Sequence, residues 1–153
     1  MGCHYLCETM QRIEAIEQEI IDEFSLYDDW MDKYAVIIEQ GNALEPLDEQ
    51  YKTPSHLIEG CQSRVWLKSE YREGRLWFGA ESDAIIVKGL LALVLRVFNG
   101  RTADEIIGSE LRFLKEIGLT EHLSPTRSNG LLAVIKQIRF YAIAYKAKEE
   151  QQL

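Results

Sequence analysis

A chain of 153 residues, 46% hydrophobic and 27% charged, has enough apolar material for one self-supporting core and too much for a disordered segment. Its formal charge of -8, from 25 acidic against 17 basic residues, argues against nucleic acid as a partner, since phosphate binding needs clustered lysine and arginine. Three cysteines make no disulfide framework at this length, and no basic segment leading into an apolar run reads as a signal peptide, so the expected location is cytoplasmic.

In chain order, residues 1–11 read as an N-terminal extension, disordered or appended, with Met10 as the native start. Cys3-His4-Tyr5-Leu6-Cys7 brings together too few ligands for a tetrahedral metal site unaided. N-myristoylation wants Ser or Thr where Leu6 stands. A single domain is expected over residues 12–148. It opens with Ile13, Ile16, Ile20, Ile21 and Phe24 at helical spacing, with Glu14, Glu17, Glu19 and Asp22 on the wet face. A break at Ser25–Asp29 precedes a second helix that turns Trp30, Met31, Tyr34, Ile37 and Ile38 inward and ends at Gly41-Asn42. Leu44–Glu59, with Pro46 and Pro54, has no steady period and reads as loop with one short helical turn.

Two strands follow, Arg64–Arg72 and Arg75–Ala80, joined at Glu73-Gly74, where glycine supplies a positive φ. Ser82 is expected to cap a buried helix that starts at Asp83 and stops at Asn99-Gly100. Its span Ala84–Phe98 is the most apolar in the chain, yet it is too short to cross a bilayer and contains Lys88 and Arg96, so no membrane is expected. Thr102-Ala103-Asp104-Glu105 is a capping box for a short helix. The next helix, Glu110–Ile117, ends at Gly118. A loop over Ser124–Gly130 leads into a long terminal helix with Leu131, Val134, Ile135, Ile138, Tyr141, Ala142 and Tyr145 on its core face. The pattern predicts an α+β fold of helices packed on a small antiparallel sheet.

The chemistry concentrates in Gly60-Cys61-Gln62-Ser63, just before an apolar β-type run. A cysteine used for packing sits among aliphatic residues as an inert hydrophobe. Cys61 instead stands between a glycine and small polar residues, where a loop becomes a strand and can present a thiol from a rigid base.

Gly60-Cys61-Gln62-Ser63 with Val65-Trp66, then Ser82-Asp83-Ala84-Ile85-Ile86-Val87-Lys88-Gly89-Leu90, then Leu123-Ser124-Pro125-Thr126-Arg127-Ser128-Asn129-Gly130, resemble in content and order the SufE/CsdE family. These are sulfur acceptors of iron–sulfur cluster assembly, and the resemblance covers roughly residues 12–147. It implies a SufE/IscU-like domain with the active loop at one end and its cysteine tucked against an apolar cavity. It also implies a carrier that takes persulfide sulfur from a cysteine desulfurase of the SufS or CsdA type, stimulates that enzyme and passes sulfur to an Fe–S scaffold complex. The resemblance makes the protein a transfer partner and not a stand-alone enzyme. No cofactor is expected on it, since pyridoxal phosphate belongs to the desulfurase. By matching position Cys61 is the persulfide carrier, while Gly60, Gln62, Ser63, Asp83 and Arg127 support or position its loop.

The residues themselves suit that chemistry. Transfer is an exchange in which a thiolate attacks a persulfide. A free cysteine ionises only near pH ~8.5, so a neighbouring cation would help, and Lys52, His56 and Arg64 are close in sequence. Asp83 has two readings, stabilising the N-terminus of the buried helix or supporting the Cys61 loop. Arg127 either closes its own loop or acts at the site, and Gln62 and Ser63 bond backbone groups of theirs. Two other classes fit less well. A cysteine hydrolase needs a histidine paired with the thiol, and neither His56 nor His122 lies in a nucleophile signature. A cluster scaffold needs several ligands converging on iron, and the body of the chain has one cysteine. The remaining alternative is a non-carrying binding module that only activates the desulfurase.

Overall fold

The computed structural model describes residues 12–151. The segment 1–11, with Cys3, His4, Cys7 and Met10, lies outside the described residues. Within them the fold is α+β, seven helices packed on a two-stranded antiparallel sheet. Helix α1 spans Ile13–Ser25 and α2 spans Trp30–Asn42, where the Asp29 carboxylate caps the Met31 amide at 2.9 Å. Two single 3-10 turns, Glu49–Tyr51 and Pro54–His56, punctuate the segment that follows, one more than the sequence suggests.

Strands β1 (Val65–Arg72) and β2 (Arg75–Ser82) pair from Arg72↔Arg75 to Val65↔Ser82. Glu73 (φ 52°) and Gly74 (φ 79°) both take the left-handed conformation of a two-residue hairpin turn. The second strand runs to Ser82, two residues beyond its expected end, and this displaces the next helix. Helix α3 therefore spans Ile85–Phe98 and starts at Ile85, not Asp83. Ser82 still serves the junction, its hydroxyl accepting from the Ala84 amide at 3.2 Å. The Asp83 carboxylate faces elsewhere.

Helix α3 is the hub of the core. Leu90, Leu91, Leu93, Val94, Leu95, Val97 and Phe98 are all buried, and Gly89 lets α2 approach it at backbone distance. Helix α4 (Ala103–Gly108) opens with the expected capping box, Thr102 and Glu105 each accepting from the other's amide. The next helix is shorter than Glu110–Ile117 suggests. Leu111 adopts φ 50°, so α5 covers only Phe113–Glu116, ended by Gly118 at φ 88° as expected, and α6 (Leu119–His122) follows.

Helix α7 spans Pro125–Gln151 and replaces the loop expected over Ser124–Gly130. Ser124 caps it, its hydroxyl accepting from the Arg127 amide at 3.3 Å, and Pro125 fills the first helical position, where its missing N–H is no loss. Leu131, Val134, Ile135, Ile138 and Ala142 are buried as expected. Tyr145 stacks on Tyr71 of β1 with ring centroids 5.0 Å apart, so α7 reaches from the loop before β1 to the hairpin.

Two side chains depart from the helical wheels. Met31, expected inward, is 75% exposed. Glu17, expected on the wet face, is 3% exposed, and its carboxylate accepts from the Phe113 amide at 3.0 Å. No described helix is long and apolar enough to cross a membrane.

Candidate functional site

The loop carrying Cys61 is pinned before and after it. The Ile58 amide donates to the Val65 carbonyl at 2.8 Å, which closes residues 59–64 into a short excursion from β1. At its far end the Arg64 amide donates to Asp83 Oδ1 at 3.1 Å, and the Asp83 amide donates back to the Arg64 carbonyl at 3.3 Å. Between these anchors Gly60 takes φ 91°, a conformation that favours glycine. Cys61, at the turn of the loop, is a free and half-buried thiol.

The loop lies across α7. Cys61 Sγ donates to the Gly130 carbonyl at 3.6 Å, a length suited to sulfur. A methyl group added at Gly130 would sit 3.4 Å from that Sγ, in van der Waals contact with it. Gly130 thus touches the sulfur, a contact that the sequence, read there as the end of a loop, does not assign. A glycine inside an otherwise helical stretch was the signal.

Around the thiol is a cleft of about 410 Å³. Gln62, Ser63, Ser124, Thr126 and Arg127 form its polar side, with Val87, Leu90 and Leu131 on its apolar side. The geometry thus brings Cys61, Gln62, Ser63 and Arg127 together, with Gly60 as the turn beside them. Arg127 lies in the first turn of α7, not in a loop, with its side chain exposed. Asp83 stays out of the cleft and grips the loop from outside, its Oδ2 accepting from Arg64 Nε at 3.1 Å. Its carboxylate bonds the Cys61 loop and not the amides of α3.

The cations close in sequence are engaged elsewhere. Lys52 pairs with Glu81 and Glu49, which push its ammonium above the usual range. His56 Nδ1 bonds Thr53 Oγ1 at 2.9 Å, while Arg64 pairs with Asp83. His122 stacks on Trp30 with centroids 4.0 Å apart. Burial meanwhile pushes the Cys61 thiol up from its ordinary value. The three cations expected to help, Lys52, His56 and Arg64, are thus turned to other partners, and burial together with the Gly130 carbonyl at the sulfur favours S–H over S⁻ in the free protein.

This has a direct consequence for reactivity. Only the thiolate alkylates, and a raised pKa leaves less of it at neutral pH. Cys61 is expected to react with iodoacetamide more slowly at pH 7 than free cysteine does. Its rate should climb with pH to a midpoint above that of the free amino acid. A midpoint below it would contradict the geometry.

Comparison with known proteins agrees with this architecture. The family model described as SufE, Fe-S metabolism associated domain, matches residues 18–142. Among solved structures, the solution structure of a hypothetical protein from Thermus thermophilus matches with a TM-score of 0.70 and 16% sequence identity. The match covers 84% of this chain and 94% of that one, and at that identity it speaks for the fold alone.

Proposed function

Because the chain belongs to the SufE family, whose domain is associated with Fe–S metabolism, we propose that it carries sulfur on Cys61. The donor is the persulfide of a pyridoxal-phosphate-dependent cysteine desulfurase of the SufS or CsdA type, and the recipient is an Fe–S scaffold complex. One observation carries the reading: a single described thiol stands at the turn of a glycine-hinged loop, over a cleft, with its sulfur against the Gly130 carbonyl of α7.

The step balances without an external oxidant or reductant. The Cys61 thiolate attacks the outer sulfur of the donor persulfide, a new S–S bond forms on Cys61, and the donor's S–S bond breaks to release its cysteine as thiolate. The proton that Cys61 loses on ionising ends on that leaving thiolate or in water. Delivery to the recipient repeats the exchange in the other direction. Gly60 and Ser63 keep bulk away from the sulfur, which lets a second protein thiol approach. Gln62, Ser63 and Arg127 line the cleft that receives the transferred atom, and Asp83 fixes the loop end.

A resting thiol kept neutral and half-covered suits a carrier, because a shielded sulfur resists over-oxidation and stray reductants. It also means that activation comes with docking, when the partner draws the loop out of its cleft. The same observation gives the non-carrying alternative its case, since a module that merely activates the desulfurase has no need of a reactive cysteine.

Intact-protein mass after incubation with desulfurase, pyridoxal phosphate and cysteine decides between them. The expected result is a reductant-sensitive gain of one or more sulfur atoms that disappears in Cys61→Ser. No gain beside a demonstrably active desulfurase, with stimulation retained by Cys61→Ser, would leave only the activator. Equal gain on the serine variant would remove Cys61 from the mechanism.

A further inference from the structure

The geometry points to Arg64 as the positioning residue that latches the Cys61 loop shut; its purpose, though not its test, rests on the carrier reading above. Three hydrogen bonds join Arg64 to Asp83. One is a backbone contact, the Asp83 amide to the Arg64 carbonyl, and one runs from the Arg64 amide to the Asp83 carboxylate at Oδ1. The third is the side-chain pair, Nε to Oδ2 at 3.1 Å, with the guanidinium also 5.5 Å from the Trp66 ring centre. Arg64 is thus held on two sides, by a carboxylate across the hairpin and by an aromatic ring two residues on.

The position of this clasp gives it leverage. At the near end the loop is tied by Ile58 to Val65, and Gly60 supplies a turn that moves without steric penalty. On the α7 side, the sulfur is held by its long bond to the Gly130 carbonyl. Swinging Cys61 outward therefore loses that weak bond, and whether the far end of the loop follows depends on Arg64. Both members of the pair remain open to water, at 67% and 43% side-chain exposure. A docking surface that offers Arg64 a carboxylate, or Asp83 a cation, exchanges one ion pair for another and frees the loop without disturbing the core.

Alkylation of Cys61 by neutral iodoacetamide, at fixed pH and in the absence of any desulfurase, reads the open population directly. Arg64→Gln is expected to raise the rate about three- to fivefold. At 1.4 kcal/mol per tenfold that corresponds to about 0.7–1 kcal/mol, the scale of an exposed pair. Asp83→Ala should raise it at least as much, and adding Arg64→Gln to Asp83→Ala should change nothing further. Salt gives a readout that a purely structural role does not move: screening should speed the wild-type protein between low and high sodium chloride and leave Arg64→Gln unaffected. Arg64→Lys, which keeps the charge but not the fork, should fall between.

A rate for Arg64→Gln within experimental error of wild type, with the urea midpoint unchanged, would overturn the latch. So would an equal effect of Arg64→Gln with and without Asp83. Failure of Cys61 to acquire sulfur would sink the carrier reading alone, because the alkylation measurement does not involve transfer.

Discussion

Gly89→Ala is expected to lower the melting temperature by about 6–12 °C, the shift that about 3 kcal/mol produces in a domain of this size. A β-carbon at that position would stand 2.1 Å from the Ile37 carbonyl oxygen and 2.5 Å from its Cγ2. The first obstacle is backbone, so it cannot be relieved by a rotamer change, and α2 and α3 must separate. Gly41 faces the same crossing, where an added β-carbon would lie 2.8 Å from the Gly89 amide nitrogen. Against this strain alanine offers only its better helix propensity, about 1 kcal/mol. Overpacking of a core ordinarily costs about 1–3 kcal/mol, and a clash with main chain belongs at the top of that range or above. Thermal or urea unfolding monitored by circular dichroism measures it, and a shift below ~2 °C would show that the helices adjust freely.

Glu17→Ala should be the next most damaging change, costing about 2 kcal/mol, or about 4–8 °C. Glu17 is the acceptor that closes the first amide of α5, across 96 residues of sequence. Alanine leaves that buried N–H without a partner and removes the packed stem of the side chain. The segment it steadies is irregular, because Leu111 takes φ 50° and Ser109 Oγ accepts from the Leu111 amide at 3.2 Å. Glu17→Gln retains an acceptor of the same shape and should recover more than half of the loss. Equal melting temperatures for the alanine and glutamine variants would show that the bond to Phe113 contributes nothing.

These two residues mark where sequence reading succeeds and where it stops. Features set by local rules were legible: the Glu73-Gly74 turn, the Thr102–Glu105 capping box, the stop at Gly118 and the apolar face of α7. Glu17 was not, because helical periodicity sorts side chains by polarity and knows nothing of an orphan amide far along the chain. Met31 was misplaced for the converse reason, since an apolar side chain in register still needs something opposite it. Ser124-Pro125 is a helix start in its own right, although the segment up to Gly130 reads as a loop in the sequence. In the structure that glycine lies inside α7, and its carbonyl accepts from Cys61 Sγ.

The site divides the same way. Gly60, Cys61, Gln62 and Ser63 are contiguous, and Asp83 and Arg127 came through the family resemblance. The protonated state of the thiol was beyond reach, because it depends on which groups surround the sulfur. The nearby cations pair with Glu81, Glu49 and Asp83, and the sulfur meets a carbonyl instead.

That carbonyl belongs to a residue synthesised well after the cysteine. Gly130 follows Cys61 by 69 residues, an interval of roughly 3–14 s at ~5–20 residues per second on the ribosome. Until the first turns of α7 have emerged and docked, the nascent chain has no wall against which to place its thiol. Each newly made molecule thus passes through a period in which Cys61 is as open to peroxide and mixed-disulfide formation as any cysteine in an unfolded chain.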